Sequence, residues 1–94
     1  MHFVIFCIDK PDITREPAVM QAHIDYLNQS PIKNVMSGPL TKDAGEEVIG
    51  SLYIVEAENR QAIEDFQKDD PLFKANYWKT VEVRAFQKRV DNRD

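Results

Sequence analysis

Apolar positions change period several times along the chain, and each change predicts an element. Phe3 to Ile8 (FVIFCI) is an unbroken apolar run closed by Asp9-Lys10-Pro11-Asp12. It predicts a strand buried on both faces. From Arg15 to Gln29 the period becomes helical, with Val19, Met20, Ala22, His23, Tyr26 and Leu27 on one face at about 100° per residue. Thr14 to Pro17 supplies the helix entry, with Thr14 as candidate N-cap, and Ser30-Pro31 ends it. Ile32 to Met36 predicts a weaker strand interrupted at Gly38-Pro39, where proline is tolerated only at an edge or a bulge. Lys42 to Glu46 predicts a hairpin-type turn, and Val48 to Val55 (VIGSLYIV) a second strand apolar on both faces. Asn59 caps a second helix whose stripe is Ala62, Ile63 and Phe66 and which breaks at Asp70-Pro71. Leu72 to Trp78 is expected as one further short turn, and Thr80 to Phe86 alternates as a half-buried last strand.

The predicted order is β-α-β-β-α-β, the α+β ferredoxin-like split βαβ arrangement, as one domain over residues 1–88 with a charged tail at 89–94. Two helices cover only one face of a four-stranded sheet. Since two strands are apolar on both sides, the other face would be a large exposed apolar patch, which monomers avoid. The pattern therefore predicts a homodimer packed sheet to sheet.

Composition removes several functions. The 94 residues carry a net charge of −4, which argues against a nucleic-acid partner. No apolar run approaches the roughly 20 residues that cross a membrane, and Met1 to Ile8 lacks the basic start and the cleavage site of a signal peptide. Cys7 is the one cysteine, so no internal disulfide forms and a cytoplasmic location is expected. Neither a metal-ligand spacing nor a glycine-rich phosphate loop is present, so no metal and no cofactor are expected.

Chemistry gathers on His23. It lies mid-stripe, with Val19 a turn before and Leu27 a turn after, where a helix ordinarily puts leucine. A neutral imidazole buried there needs partners for both ring nitrogens or costs about 1–3 kcal/mol. Two interpretations stand at this point: a satisfied core histidine, or an acid–base group. Asp70 is similarly double. It projects about 40° from Phe66 on the second helix, inside the apolar stripe, and Asp-Pro is also an ordinary N-cap and N1 pair. In its chemical role it orients His23, as carboxylates do for imidazoles. Ser37, Gly38 and Ser51 are candidate contacts at a pocket mouth; none lies in a nucleophile elbow.

The stretch Ala22-His23-Ile24-Asp25-Tyr26-Leu27, followed by Ser37-Gly38-Pro39, Gly50-Ser51 and Asp70-Pro71, resembles the YCII-related family of small proteins. That resemblance implies a dimeric α+β barrel and a His–Asp active site that maps onto His23 and Asp70. It also implies small organic substrates, some relatives being linked to cleavage or dehalogenation of aromatic or lactone-like compounds. Two positions depart from the family pattern: Met20 stands where an arginine is frequent, and Lys74-Ala75-Asn76 where a glycine is frequent. The expected function is cofactor-free hydrolysis, elimination or isomerisation of a small molecule, with a non-catalytic ligand-binding or regulatory dimer as the alternative. As a core histidine, His23 replaced by leucine would cost about 1–3 kcal/mol. As a group lining a functional pocket, the same change extends the Val19–Leu27 stripe and leaves stability unchanged or higher with ligand response lost, and this second outcome is expected.

Overall fold

The computed structural model describes residues 1–30, 32–45 and 47–93. Pro31, Glu46 and Asp94, which the sequence places at a helix end, in a turn and in the tail, lie outside the described residues. The elements run β1 (His2–Asp9), α1 (Pro17–Gln29), β2 (Lys33–Thr41), β3 (Val48–Glu56), α2 (Arg60–Lys68), α3 (Pro71–Lys74) and β4 (Trp78–Phe86). The strands pair antiparallel in the order β2-β3-β1-β4. This is the ferredoxin-like α+β arrangement, with the short α3 added before the last strand.

Strand alternation sends Phe3, Ile5 and Cys7 of β1, Tyr53 and Val55 of β3, and Val83 of β4 to the helix-covered face. There they meet Ile63 and Phe66 of α2 and Leu72 of α3. The opposite face carries Val4, Ile8, Leu52 and Ile54, all half-buried, with Phe6 and Met36 exposed. It is the apolar, uncovered surface that the two-sided strands predict.

Local physics decides several boundaries differently from the sequence pattern. Helix α1 starts at Pro17 with Glu16, not Thr14, as N-cap, and no side chain caps it. A residue before proline is held extended, and Glu16 has ψ 128°; its backbone N–H donates instead to the Tyr77 hydroxyl at 3.3 Å. Strand β2 runs through Gly38 and Pro39, which pair with Leu52 and Ser51. It does so as an edge strand with register shifts near Asn34 and Leu40, the two settings in which proline is tolerated. The turn after Asp70 ends at Lys74 rather than Trp78 because Asn76 takes the left-handed conformation (φ 62°). Asparagine enters that region at modest cost, which accounts for a chain that has no glycine there. By contrast, α2 is capped as its sequence indicates, Asn59 Oδ1 accepting from the Ala62 N–H at 2.9 Å.

Gly50 of β3 pairs with Ile8 of β1. A Cβ at this position would lie 2.0 Å from the Cys7 carbonyl oxygen, so only glycine fits the observed pairing.

Candidate active site

Helix α1 offers one buried side chain to the protein, and it is His23, 6% exposed. Val19, Met20, Tyr26 and Leu27 pack only partly against the core, and Ala22, expected on the same stripe, faces solvent. A helix that seats itself through a histidine must satisfy that ring with polar partners. Both are present. His23 Nδ1 lies 2.7 Å from Asp70 Oδ1, and His23 Nε2 lies 3.0 Å from the Tyr53 hydroxyl.

Asp70, 2% exposed, performs both tasks that its sequence position allows. The same Oδ1 accepts from the Leu72 N–H at 2.9 Å, capping α3, and faces the imidazole. The cap thus fixes the carboxylate that fixes the ring. A carboxylate only accepts, so with Asp70 ionised the proton resides on His23 Nδ1. In the neutral imidazole Nε2 is then an acceptor, and the Tyr53 O–H donates to it. The assembled chain runs from the Tyr53 hydroxyl through the imidazole to the carboxylate, over residues contributed by β3, α1 and the start of α3.

Tyr53 was not indicated by the sequence, where it is one apolar position in an apolar strand. Its ring packs edge-on against His23 at 5.8 Å and against Trp78 at 6.4 Å between centroids. Burial, then the negative charge of Asp70, hold its hydroxyl well above the ordinary phenol range, although Ser51 and the Arg15 charge act the other way. At neutral pH it is a neutral donor. Burial, followed by the charges of Asp70 and Asp9, likewise pushes the Cys7 thiol up to about 12, so Cys7 is a packed thiol and no nucleophile.

A cavity of about 320 Å³ opens over this chain of hydrogen bonds. His23 and Tyr53 form part of its wall, together with Ser37, Gly38 and Ser51, while Asp70 lies behind the imidazole and does not reach it. Ser51 is buried; Ser37 is exposed, and its hydroxyl accepts from Asn34 Nδ2 at 2.8 Å. Arg15, at the same wall, was also missed by sequence reasoning. Its guanidinium is held by Asp9 at 2.6 Å and rests 3.7 Å from the Met20 sulfur. Position 20 therefore lacks the arginine, but a cation reaches the cavity from five residues earlier in the chain.

A wider surface groove of about 870 Å³ lies between Tyr26, Phe66 and the start of β1. Of its charged lining residues, Lys33, Glu58, Asp65 and Asp69 are exposed and Glu56 is half-buried, and among the described residues no buried polar pair like that of His23 and Asp70 converges on it. Among the described residues, no group of three or more His, Cys, Asp or Glu side chains is placed to hold a metal ion. No helix among them is long and apolar enough to cross a membrane.

Fold and site together define a small α+β domain with a buried His–Asp pair under a cavity. The chain belongs to the YCII-related domain family, whose model matches residues 1–87. It is 31% identical over 96 residues to an uncharacterised protein of Haemophilus influenzae, a match covering 94% of this chain and 98% of that one. Among solved structures it is similar to 5-chloro-2-hydroxyhydroquinone dehydrochlorinase from Burkholderia phenoliruptrix, determined in complex with 2,5-dihydroxybenzoquinone. That similarity has TM-score 0.76 at 25% identity and covers 93% of this chain and 94% of the other. A protein of Arabidopsis thaliana shares the fold alone, with TM-score 0.53 at 14% identity over 97% of each chain.

Proposed function

We propose that this protein is an acid–base enzyme that eliminates a leaving group from a small hydroxylated ring without a cofactor. The observation that carries this is His23, clamped at both nitrogens between buried Asp70 and Tyr53 in the wall of a cavity of about 320 Å³. That volume suits a single substituted ring, near the lower end of ligand pockets. The activity named for the Burkholderia structure supports the same class of chemistry.

For a chlorinated hydroxyhydroquinone the steps balance without an external oxidant. One ring hydroxyl proton is carried to the chlorine-bearing carbon, giving a keto tautomer. A second hydroxyl proton is then removed while chloride leaves with the C–Cl electron pair, and the ring ends as a hydroxyquinone. His23 is the proton carrier, and Asp70 orients it and faces the imidazolium that forms transiently. Ser37, Gly38 and Ser51 provide polar and backbone contacts at the mouth.

Anaerobic incubation with 5-chloro-2-hydroxyhydroquinone tests the proposal by chloride release. The parent should turn over, and His23→Gln should lose about 10²–10⁴-fold in rate. A parent that binds 2,5-dihydroxybenzoquinone but releases no chloride would favour a ligand-binding module instead. Equal rates in parent and variant would remove His23 from the chemistry.

We also propose that two copies pack through the uncovered sheet face bearing Phe6 and Met36, burying upwards of ~2,000 Å², and that they act in the cytoplasm. Light scattering should give twice the 10.9 kDa chain mass. A monomer at micromolar concentration would refute the dimer.

A further inference from the structure

We infer that Tyr53 is the group through which the site exchanges protons with its ligand, with His23 behind it as the base. The inference rests on the proposed acid–base function and adds a residue to it. Its origin is a count of lone pairs. With Nδ1 directed to Asp70 and Nε2 accepting from Tyr53, the imidazole has no nitrogen left for a molecule in the cavity. The Tyr53 oxygen has spent its proton but retains acceptor capacity, and Tyr53 is part of the cavity wall. A proton leaving a ring hydroxyl therefore has one continuous route. It moves to the Tyr53 oxygen as the Tyr53 proton moves to His23 Nε2, leaving an imidazolium against the Asp70 carboxylate. The reverse movement returns a proton to the ligand. No protein bond other than O–H and N–H changes, and no co-reactant is needed.

The surroundings fit a relay better than a standing phenolate. Burial and Asp70 keep Tyr53 protonated at rest, so the phenol must pass its proton as it receives another. Arg15, held over the same cavity by Asp9, supplies a positive charge that eases the moment at which the phenol oxygen is most negative. The edge contacts with His23 and Trp78 fix the ring plane, which keeps the hydroxyl aimed at Nε2.

Tyr53→Phe removes the hydroxyl and retains the ring. Chloride release from 5-chloro-2-hydroxyhydroquinone should fall by about 10²-fold or more in kcat, with KM within a few fold, as for an interaction made in the transition state. In ¹⁵N-histidine spectra of the free proteins, the unprotonated Nε2 of His23 should move downfield in Tyr53→Phe as it loses its hydrogen bond, while Nδ1 stays protonated. Parental kcat in Tyr53→Phe overturns the relay even if His23→Gln is inactive, and so does an unmoved Nε2 resonance. Should neither parent nor variants release chloride, the proposed reaction falls, and the nitrogen spectrum alone then decides whether Tyr53 is joined to His23.

Discussion

Replacing His23 with leucine should destabilise the protein by about 2–4 kcal/mol, because the substitution strands two buried groups at once and each costs about 1–3 kcal/mol. Tyr53 would lose its acceptor and Asp70 would keep only the Leu72 N–H, and the added apolar contact with Val19 and Leu27 offsets only part of this. At roughly 4–8 °C per kcal/mol for a domain of this size, the melting temperature should fall by about 8–30 °C. This reverses what the helical wheel predicts, since the wheel sees neighbours on α1 and not partners from β3 and α3. Asp70→Asn is the contrasting variant. Its side-chain oxygen can still cap α3 and accept from Nδ1–H, so thermal unfolding should stay within about 1 kcal/mol of the parent, whereas chloride release should drop with the lost charge. A leucine variant that melts with the parent would mean that water entering the space left by the imidazole satisfies both groups. One that melts lower yet retains activity would make the histidine a structural residue only.

Gly50→Ala should be as damaging without touching a titratable group. The new methyl would overlap the Cys7 carbonyl oxygen at 2.0 Å and crowd the Cys7 carbonyl carbon at 3.1 Å and the Ile8 Cα at 3.3 Å. All three are backbone atoms of the central strand, so no rotamer change relieves them. Overpacking of flexible side chains costs about 1–3 kcal/mol, and a backbone clash belongs at or above the top of that range. Because β1 pairs Cys7 with Ser51 next door, the strain also displaces a wall of the cavity. Gly38→Ala, which meets nothing within 4 Å, is the matched control and should leave urea denaturation nearly unchanged. A Gly50→Ala protein within 1 kcal/mol of the parent would show that β1 and β3 separate more easily than their pairing indicates.

What the sequence exposes of this molecule is what lies within one element. Apolar runs mark β1 and β3, Asn59 marks the start of α2, and the placing of His23 and Asp70 among apolar neighbours marks them as groups that need partners. The partners themselves come from other elements. Tyr53 alternates correctly for a buried strand residue, so its period hides the hydroxyl's destination. Arg15 reaches the cavity through a pairing with Asp9 across the loop between β1 and α1, which periodicity does not register. The passage of β2 through Gly38-Pro39 depends on its place at the sheet edge, a property of strand order and not of the local residues.

The single buried side chain of α1 has a consequence for how the protein breathes. A helix seated by the two imidazole hydrogen bonds, a third from the Tyr26 hydroxyl to the Phe66 carbonyl at 2.6 Å and a few half-buried side chains gives up little apolar surface when it lifts away. Such an opening is a local event, well short of global unfolding in free energy, and its dependence on denaturant is shallow because little new area meets solvent. The imidazole then travels with α1, while its carboxylate and phenol stay behind on the frame of sheet and short helix. The two bonds that orient the ring are thus also among those that hold α1 in place.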